Sequence, residues 1–144
     1  MMAAAVEGLN EGAGDRQAGV LAVTVLTSLS DADLDEIGMV GPATERVAEL
    51  ARLASTSGVE GVVCSPHEIA RVAETAPGLS IVVPGIRPAG ADAHDQARVA
   101  TPEAAMALGA TYLVIGRAIT AASDPAAAAR DIASSIVDRG PAAG

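Results

Sequence analysis

Two arginines stand directly behind apolar runs in the second half of the chain. Pro84-Gly85-Ile86-Arg87 closes one run and Gly116-Arg117 closes the next, with Asp95 and Gln96 between them. A guanidinium donates two parallel charge-assisted hydrogen bonds to a phosphate, and glycine lets backbone N–H groups approach its oxygens closely. Gln96 adds an amide donor from the intervening loop. A single Gly-Arg pair is an ordinary turn beside a solvated charge, but two at consecutive strand ends suit the anchoring of a phosphate ester. All 9 basic residues are arginine, so the chain has no lysine. Arginine stays protonated in proteins, whereas proton transfer on such a substrate commonly needs a tunable ammonium. The residue set therefore points to anchoring rather than to proton transfer.

The other candidates carry less chemistry. Thr27 and Ser28 follow the first apolar run and offer two hydroxyls to the same rim, though Ser28 or Ser30 equally suits a helix cap. His67 and His94 have no Cys, Asp or Glu at metal-ligand spacing, and neither is assigned to a metal. Cys64 lies inside an apolar run and reads as a small buried hydrophobe. The acidic stretch from Asp31 to Glu36 reads as a solvated helix start, not a paired-carboxylate acid–base site.

The elements that position these residues alternate in type. Apolar, largely β-branched runs occupy residues 20–26, 61–64, 79–83 and 112–115. They are nearly continuous rather than alternating, the pattern of parallel strands covered on both faces. Helix-like segments follow: one opening at Asp31, one over 44–57 with Gly58 closing it, and one from Ser65-Pro66 to Ala76 with Glu68 in its first turn. Thr101-Pro102-Glu103 starts a short helix ending at Gly109, and Ser123-Asp124-Pro125 starts another through about Val137. This order predicts an α/β fold with a (βα)4 array, either half of an eight-stranded barrel or a small doubly wound sheet. Residues 1–14 read as a partial helix followed by a loop from Asn10 to Gly14, and 141–144 as a tail. Residues 88–100 are Ala/Gly-rich and aperiodic, as a binding loop or lid is.

Composition bounds the rest. The chain's 144 residues, 50% hydrophobic, suffice for one domain's core. Tyr112 is the only aromatic residue, so the core must be aliphatic and base-stacking platforms cannot be built. A net charge of −9 argues against nucleic acid and anionic membrane surfaces as partners. One cysteine excludes an intramolecular disulfide and fits a reducing, cytoplasmic setting. Neither a charged-then-apolar leader nor an uninterrupted apolar stretch of membrane-spanning length is present in these residues.

Four blocks, taken together, are recognisable. They are Leu21-Ala22-Val23-Thr24-Val25-Leu26-Thr27-Ser28, Gly61-Val62-Val63-Cys64-Ser65, Pro84-Gly85-Ile86-Arg87-Pro88 with Gly90 and Asp95-Gln96-Ala97-Arg98, and Tyr112-Leu113-Val114-Ile115-Gly116-Arg117-Ala118-Ile119-Thr120. In order and spacing they resemble orotidine 5′-phosphate decarboxylase of the bacterial type, from Met1 to about Ile136. The resemblance implies a (β/α)8 barrel that converts orotidine 5′-monophosphate to uridine 5′-monophosphate and CO2 in pyrimidine synthesis, with no cofactor and no metal. It implies that Arg87, Gln96, Gly116 and Arg117 hold the substrate phosphate and that Thr27 and Ser28 meet the rest of the nucleotide, Ser28 at the pyrimidine edge. It further implies a phosphate-closing loop over 88–100 and a homodimer in the complete enzyme.

The chain departs from that family at its catalytic segment. The family's Asp-x-Lys-x-x-Asp signature has no match here, and without lysine no substitute is available. The reading is therefore the C-terminal half of the barrel, beginning inside the helix after the fourth strand, with no catalytic residue of its own and no activity alone. His94 stands where relatives usually carry a small residue, which bears on the shape of the lid. Two other readings compete: another phosphosugar enzyme of the superfamily, such as a hexulose-phosphate synthase, and a non-catalytic nucleotide-binding or half-barrel assembly module.

Overall fold

The computed structural model describes residues 1–14, 17–88 and 100–137. Four strands, β1 (Leu21–Val23), β2 (Gly61–Val63), β3 (Ser80–Val83) and β4 (Tyr112–Leu113), form one sheet in the order β1-β2-β3-β4. Every pairing is parallel. Helices α1 (Met2–Gly12), α2 (Asp31–Glu36), α3 (Ala43–Thr56), α4 (Ile69–Thr75), α5 (Pro102–Ala107), α6 (Arg117–Thr120) and α7 (Pro125–Val137) precede, connect and follow them. The sheet thus has the (βα)4 order expected of half a barrel.

Side-chain caps start the helices where the sequence puts them. Ser30 and Asp33 form a reciprocal capping box on α2. Ser65 and Glu68 form another on the 3-10 turn Pro66–Glu68 that leads into α4. Thr101 accepts from the Ala104 N–H at 3.2 Å, and Asp124 from the Ala127 N–H at 2.9 Å. Helix α3 begins after Pro42, which has no side-chain oxygen, and Asp31 accepts from the Ala43 N–H at 2.9 Å instead. The acidic run thus reaches across to cap a second helix. Gly58 and Gly109, at φ +76° and +106°, turn the chain behind α3 and α5 in a conformation that glycine adopts without strain.

The core lies between one face of the sheet and the helices. Val62, Cys64, Ile81 and Val83 share a single apolar cluster with Val47, Ala51 and Ala54 of α3 and Ile69 and Val72 of α4. Alanines at these positions let α3 approach the strands closely, and no aromatic ring is needed to fill the space. At the start of β2, a Cβ on Gly61 would stand 2.4 Å from the Ser80 carbonyl oxygen, so only glycine fits beside β3 there.

Two expectations need correction. Helix α1 runs through Asn10 and Glu11 to Gly12, where a loop was expected; the Ala13 N–H still donates to the Leu9 carbonyl, and Gly14 at φ +57° ends the run. The first strand is shorter than the run 20–26, because pairing with β2 covers only Leu21 to Val23 before the chain turns at Thr27 and Ser28. Among the described residues the helices cover one face of the sheet. Val23, Val63, Val82 and Tyr112 stand in one row of the register, on the side away from the helices. Val82 in mid-sheet is buried, but Val23 and Tyr112 at the edges are 59% and 60% exposed.

Candidate functional site

Parallel strands place all their C-terminal ends on one side, and ligands of such folds bind there. Beyond β3 the chain makes a turn at Gly85, φ +77°, which brings Ile86 alongside Ala100 in a parallel bridge; the Arg87 N–H donates to the Ala100 carbonyl at 3.0 Å. Beyond β4 the Val114 N–H donates to Val83 at 2.9 Å, carrying the ladder one residue further. Gly116 then begins the single-turn helix α6, accepting from the N–H groups of Ile119 and Thr120 at 2.8 and 3.0 Å.

These two strand ends enclose a cavity of about 270 Å³ lined by Pro84, Gly85, Ile86, Arg87, Val114, Gly116, Arg117 and Ala118. Three of the six residues predicted for the site are thereby brought to one place: Arg87, Gly116 and Arg117. A Cβ on Gly116 would meet no atom within 4 Å, so that backbone faces open space. Two guanidinium groups and bare backbone around one cavity suit an oxyanion bearing several oxygens. The apolar lining, Pro84, Ile86, Val114 and Ala118, was not singled out in the sequence, where these positions read only as strand and turn. Helix α6 was missed because four residues are too few to show a helical period.

Thr27 and Ser28 stand apart from this cavity. They turn behind β1, at the same end of the sheet but two strands from β3, and are not among its lining residues. Ser30, not Ser28, is the helix cap. Gln96, Asp95 and His94 lie outside the described residues, as does most of the expected lid over 88–100 and all of the tail over 141–144.

Glu68 is buried and accepts from the N–H and hydroxyl of Ser65 at the end of β2. Burial pushes the Cys64 thiol up to about 12, and the neighbouring Glu68 carboxylate adds to the shift, so the thiol is inert near neutrality. His67 is exposed, and among the described residues no three His, Cys, Asp or Glu side chains gather as metal ligands. No described helix is long and apolar enough to cross a membrane.

A parallel four-stranded sheet in (βα)4 order, with a cavity lined by two arginines at adjacent strand ends, is the architecture of half a (β/α) barrel. The family model described as Orotidine 5'-phosphate decarboxylase / HUMPS family matches residues 1–132, and the chain belongs to that family. Orotidine 5'-phosphate decarboxylase of Anaeromyxobacter dehalogenans is 54% identical over 137 residues, which are 94% of this chain and 58% of that protein. The Halorhodospira halophila protein of the same name is 57% identical over 122 residues, 84% of this chain and 52% of the relative. The crystal structure of the Lactobacillus acidophilus enzyme superposes with a TM-score of 0.80 at 40% identity, covering 94% of this chain and 58% of that one. The chain spans about half the length of the curated relatives it matches, and its fold is half of their barrel.

Proposed function

We propose that this chain supplies the phosphate- and nucleotide-binding half of an orotidine 5′-phosphate decarboxylase, acting on orotidine 5′-monophosphate to give uridine 5′-monophosphate and CO2. The observation that carries the reading is the cavity that joins Arg87 and Arg117 at the ends of β3 and β4. Relatives above 50% identity bear the decarboxylase name, which favours this member of the family over its hexulose-phosphate branch. In this reading the two guanidinium groups and the Gly116 backbone grip the phosphate, Gln96 joins them from the 88–100 loop, and Thr27 and Ser28 meet the ribose and pyrimidine. Phosphate binding energy spent far from the reacting carbon then lowers the barrier there when a loop closes. Neither a metal nor a cofactor is required, and the complete enzyme works in the cytoplasm as a homodimer.

The chain itself holds no lysine to stabilise and protonate the carbanion, so it binds and does not turn over. Calorimetric titration tests the binding half of this reading: uridine 5′-monophosphate binds, inorganic phosphate competes, and uridine binds far more weakly. Uridine binding as tightly as its phosphate ester would remove the cavity from the reading. A turnover assay tests the other half, and product above the uncatalysed rate, in protein free of host enzyme, would contradict it.

A further inference from the structure

Strand β3 bonds to its two neighbours with alternate residues. The Ser80 N–H donates to the Glu60 carbonyl at 3.0 Å and the Val82 carbonyl accepts from Cys64 at 3.2 Å, both on the β2 side, so Ile81 and Val83 turn their main-chain groups toward β4. At Val83 the carbonyl accepts from the Val114 N–H at 2.9 Å. At Ile81 a side chain joins the ladder: the carbonyl accepts from the Thr111 N–H at 2.8 Å, while the N–H donates to the Thr111 hydroxyl at 3.0 Å. One residue thus satisfies both main-chain groups of the buried Ile81. We propose that Thr111 is a positioning residue, whose hydroxyl fixes the register of β4 against β3 and so sets the spacing of Arg87 and Arg117 across their cavity.

The seam between these strands is short, with β4 paired to β3 over Tyr112 and Leu113. Just before it the chain is still turning out of α5, with Gly109 at φ +106° and the Ala110 N–H donating back to Ala105 at 3.1 Å, so a side chain stands where a regular ladder puts a main-chain carbonyl. Leaving a buried N–H without an acceptor costs more than an ordinary hydrogen bond contributes. The hydroxyl therefore penalises every other register. A slip of one residue would carry Arg117 about 3.3 Å along the strand and turn the side chains of β4 to opposite faces. Arg117 opens α6 directly behind β4, and the Arg87 N–H is tied to Ala100 behind β3, so a displacement at the seam reaches the cavity.

Thr24 also bonds across a seam through its hydroxyl, but to different effect. The Val63 carbonyl that takes this hydroxyl at 2.8 Å already accepts the Thr24 N–H at 3.2 Å. That hydroxyl adds a second donor to a satisfied acceptor, whereas Thr111 supplies the acceptor itself. The assignment of Thr111 rests on the proposed phosphate site, because it names the residue that spaces the two arginines of that site.

Thr111→Val keeps the shape and β-branching of the side chain but has no acceptor, and Thr111→Ser keeps the hydroxyl. The experiment is titration of uridine 5′-monophosphate into the full chain and both variants, paired with amide hydrogen exchange at Ile81. The valine variant is expected to lose about tenfold in affinity, together with protection of the Ile81 N–H, and the serine variant to keep both. Arg117→Ala on the Thr111→Val background should cost little more, because that arginine is already misplaced. Ala54→Gly, on α3 against β2 and α4, should lower the urea midpoint and leave affinity unchanged, which separates spacing from a general loss of stability. A valine variant that binds as tightly as the unaltered chain, a loss fully additive with Arg117→Ala, or a serine variant that loses as much as valine would each overturn the role of Thr111 and leave the proposed function standing. Failure of the unaltered chain to bind uridine 5′-monophosphate would overturn the proposed function, and the role of Thr111 with it.

Discussion

Replacing Arg117 by alanine tests the proposed phosphate site most directly, because only the side chain is removed and α6 keeps a good helix former. A hydrogen bond to a charged group contributes about 1.5–3 kcal/mol. Arg117 is exposed while Arg87 is half-buried, and water and salt screen the exposed guanidinium more strongly. Arg117→Ala is therefore expected near the lower end, about tenfold in Kd for uridine 5′-monophosphate, and Arg87→Ala near the upper end, about a hundredfold. The Arg87 N–H bond to Ala100 survives in the alanine variant, so the loss belongs to the guanidinium. Both substitutions together should cost less than their sum if the groups share one phosphate. Arg46→Ala is the control: Arg46 sits on α3, pairs with Glu49 at 2.7 Å and does not line the cavity. Isothermal titration at two salt concentrations reads the four variants and the unaltered chain. Affinities of the arginine variants equal to that of the unaltered chain would refute the assignment, and so would an equal loss in the Arg46 control.

Three further outcomes check the packing and its electrostatics. Gly61→Ala should lower stability by about 1–3 kcal/mol through overpacking against β3, read from the urea midpoint; an unchanged midpoint would mean the strands separate freely there. Cys64, with its thiol raised to about 12, should resist alkylation in the native state from neutral to mildly alkaline pH and react on unfolding; rapid native labelling would contradict its burial. Asp33 is lowered by hydrogen bonds from the Ser30 side chain and backbone, so its contribution to stability is present above the ordinary carboxylate range and is lost as pH falls through the lowered value. Asp33→Asn should flatten that acid limb in a pH series of thermal melts, and an identical limb would remove the capping box as its cause.

Much of the fold was legible because its signals are local. Ser65-Pro66 with Glu68, Thr101-Pro102 and Asp124-Pro125 each put a cap ahead of a helix-favouring first residue, and the helices begin there. The extent of pairing was less legible. Residues 20–26 have β-branched character throughout, but strand length is set by how far β2 runs beside them, a non-local quantity. That Arg87 and Arg117 would share one end of the sheet was legible because each falls just past a strand, and those strands turn out to be neighbours. Its apolar wall was not, since Ile86, Val114 and Ala118 line a cavity only once β3 and β4 lie side by side.

The continuous apolar runs carry the remaining inference. A strand in a sheet with one wet face alternates, and these do not. Val62, Ile81 and Val83 are accounted for by the helices, but Val23, Tyr112 and Val114 have no covering layer among the described residues. Selection of apolar side chains on a face that water would otherwise reach requires a second layer in the working protein, and in a barrel that layer is the other strands. Under the proposed function, the same division accounts for the missing lysine. Barrel enzymes draw their catalytic groups from the ends of several strands, so a four-stranded half can hold the anchoring arginines while the proton-transfer groups stand on strands across the barrel. An arginine-only half is then a coherent part of a decarboxylase, because anchoring and proton transfer place opposite demands on a cation: one needs a charge that never titrates, the other a charge that does.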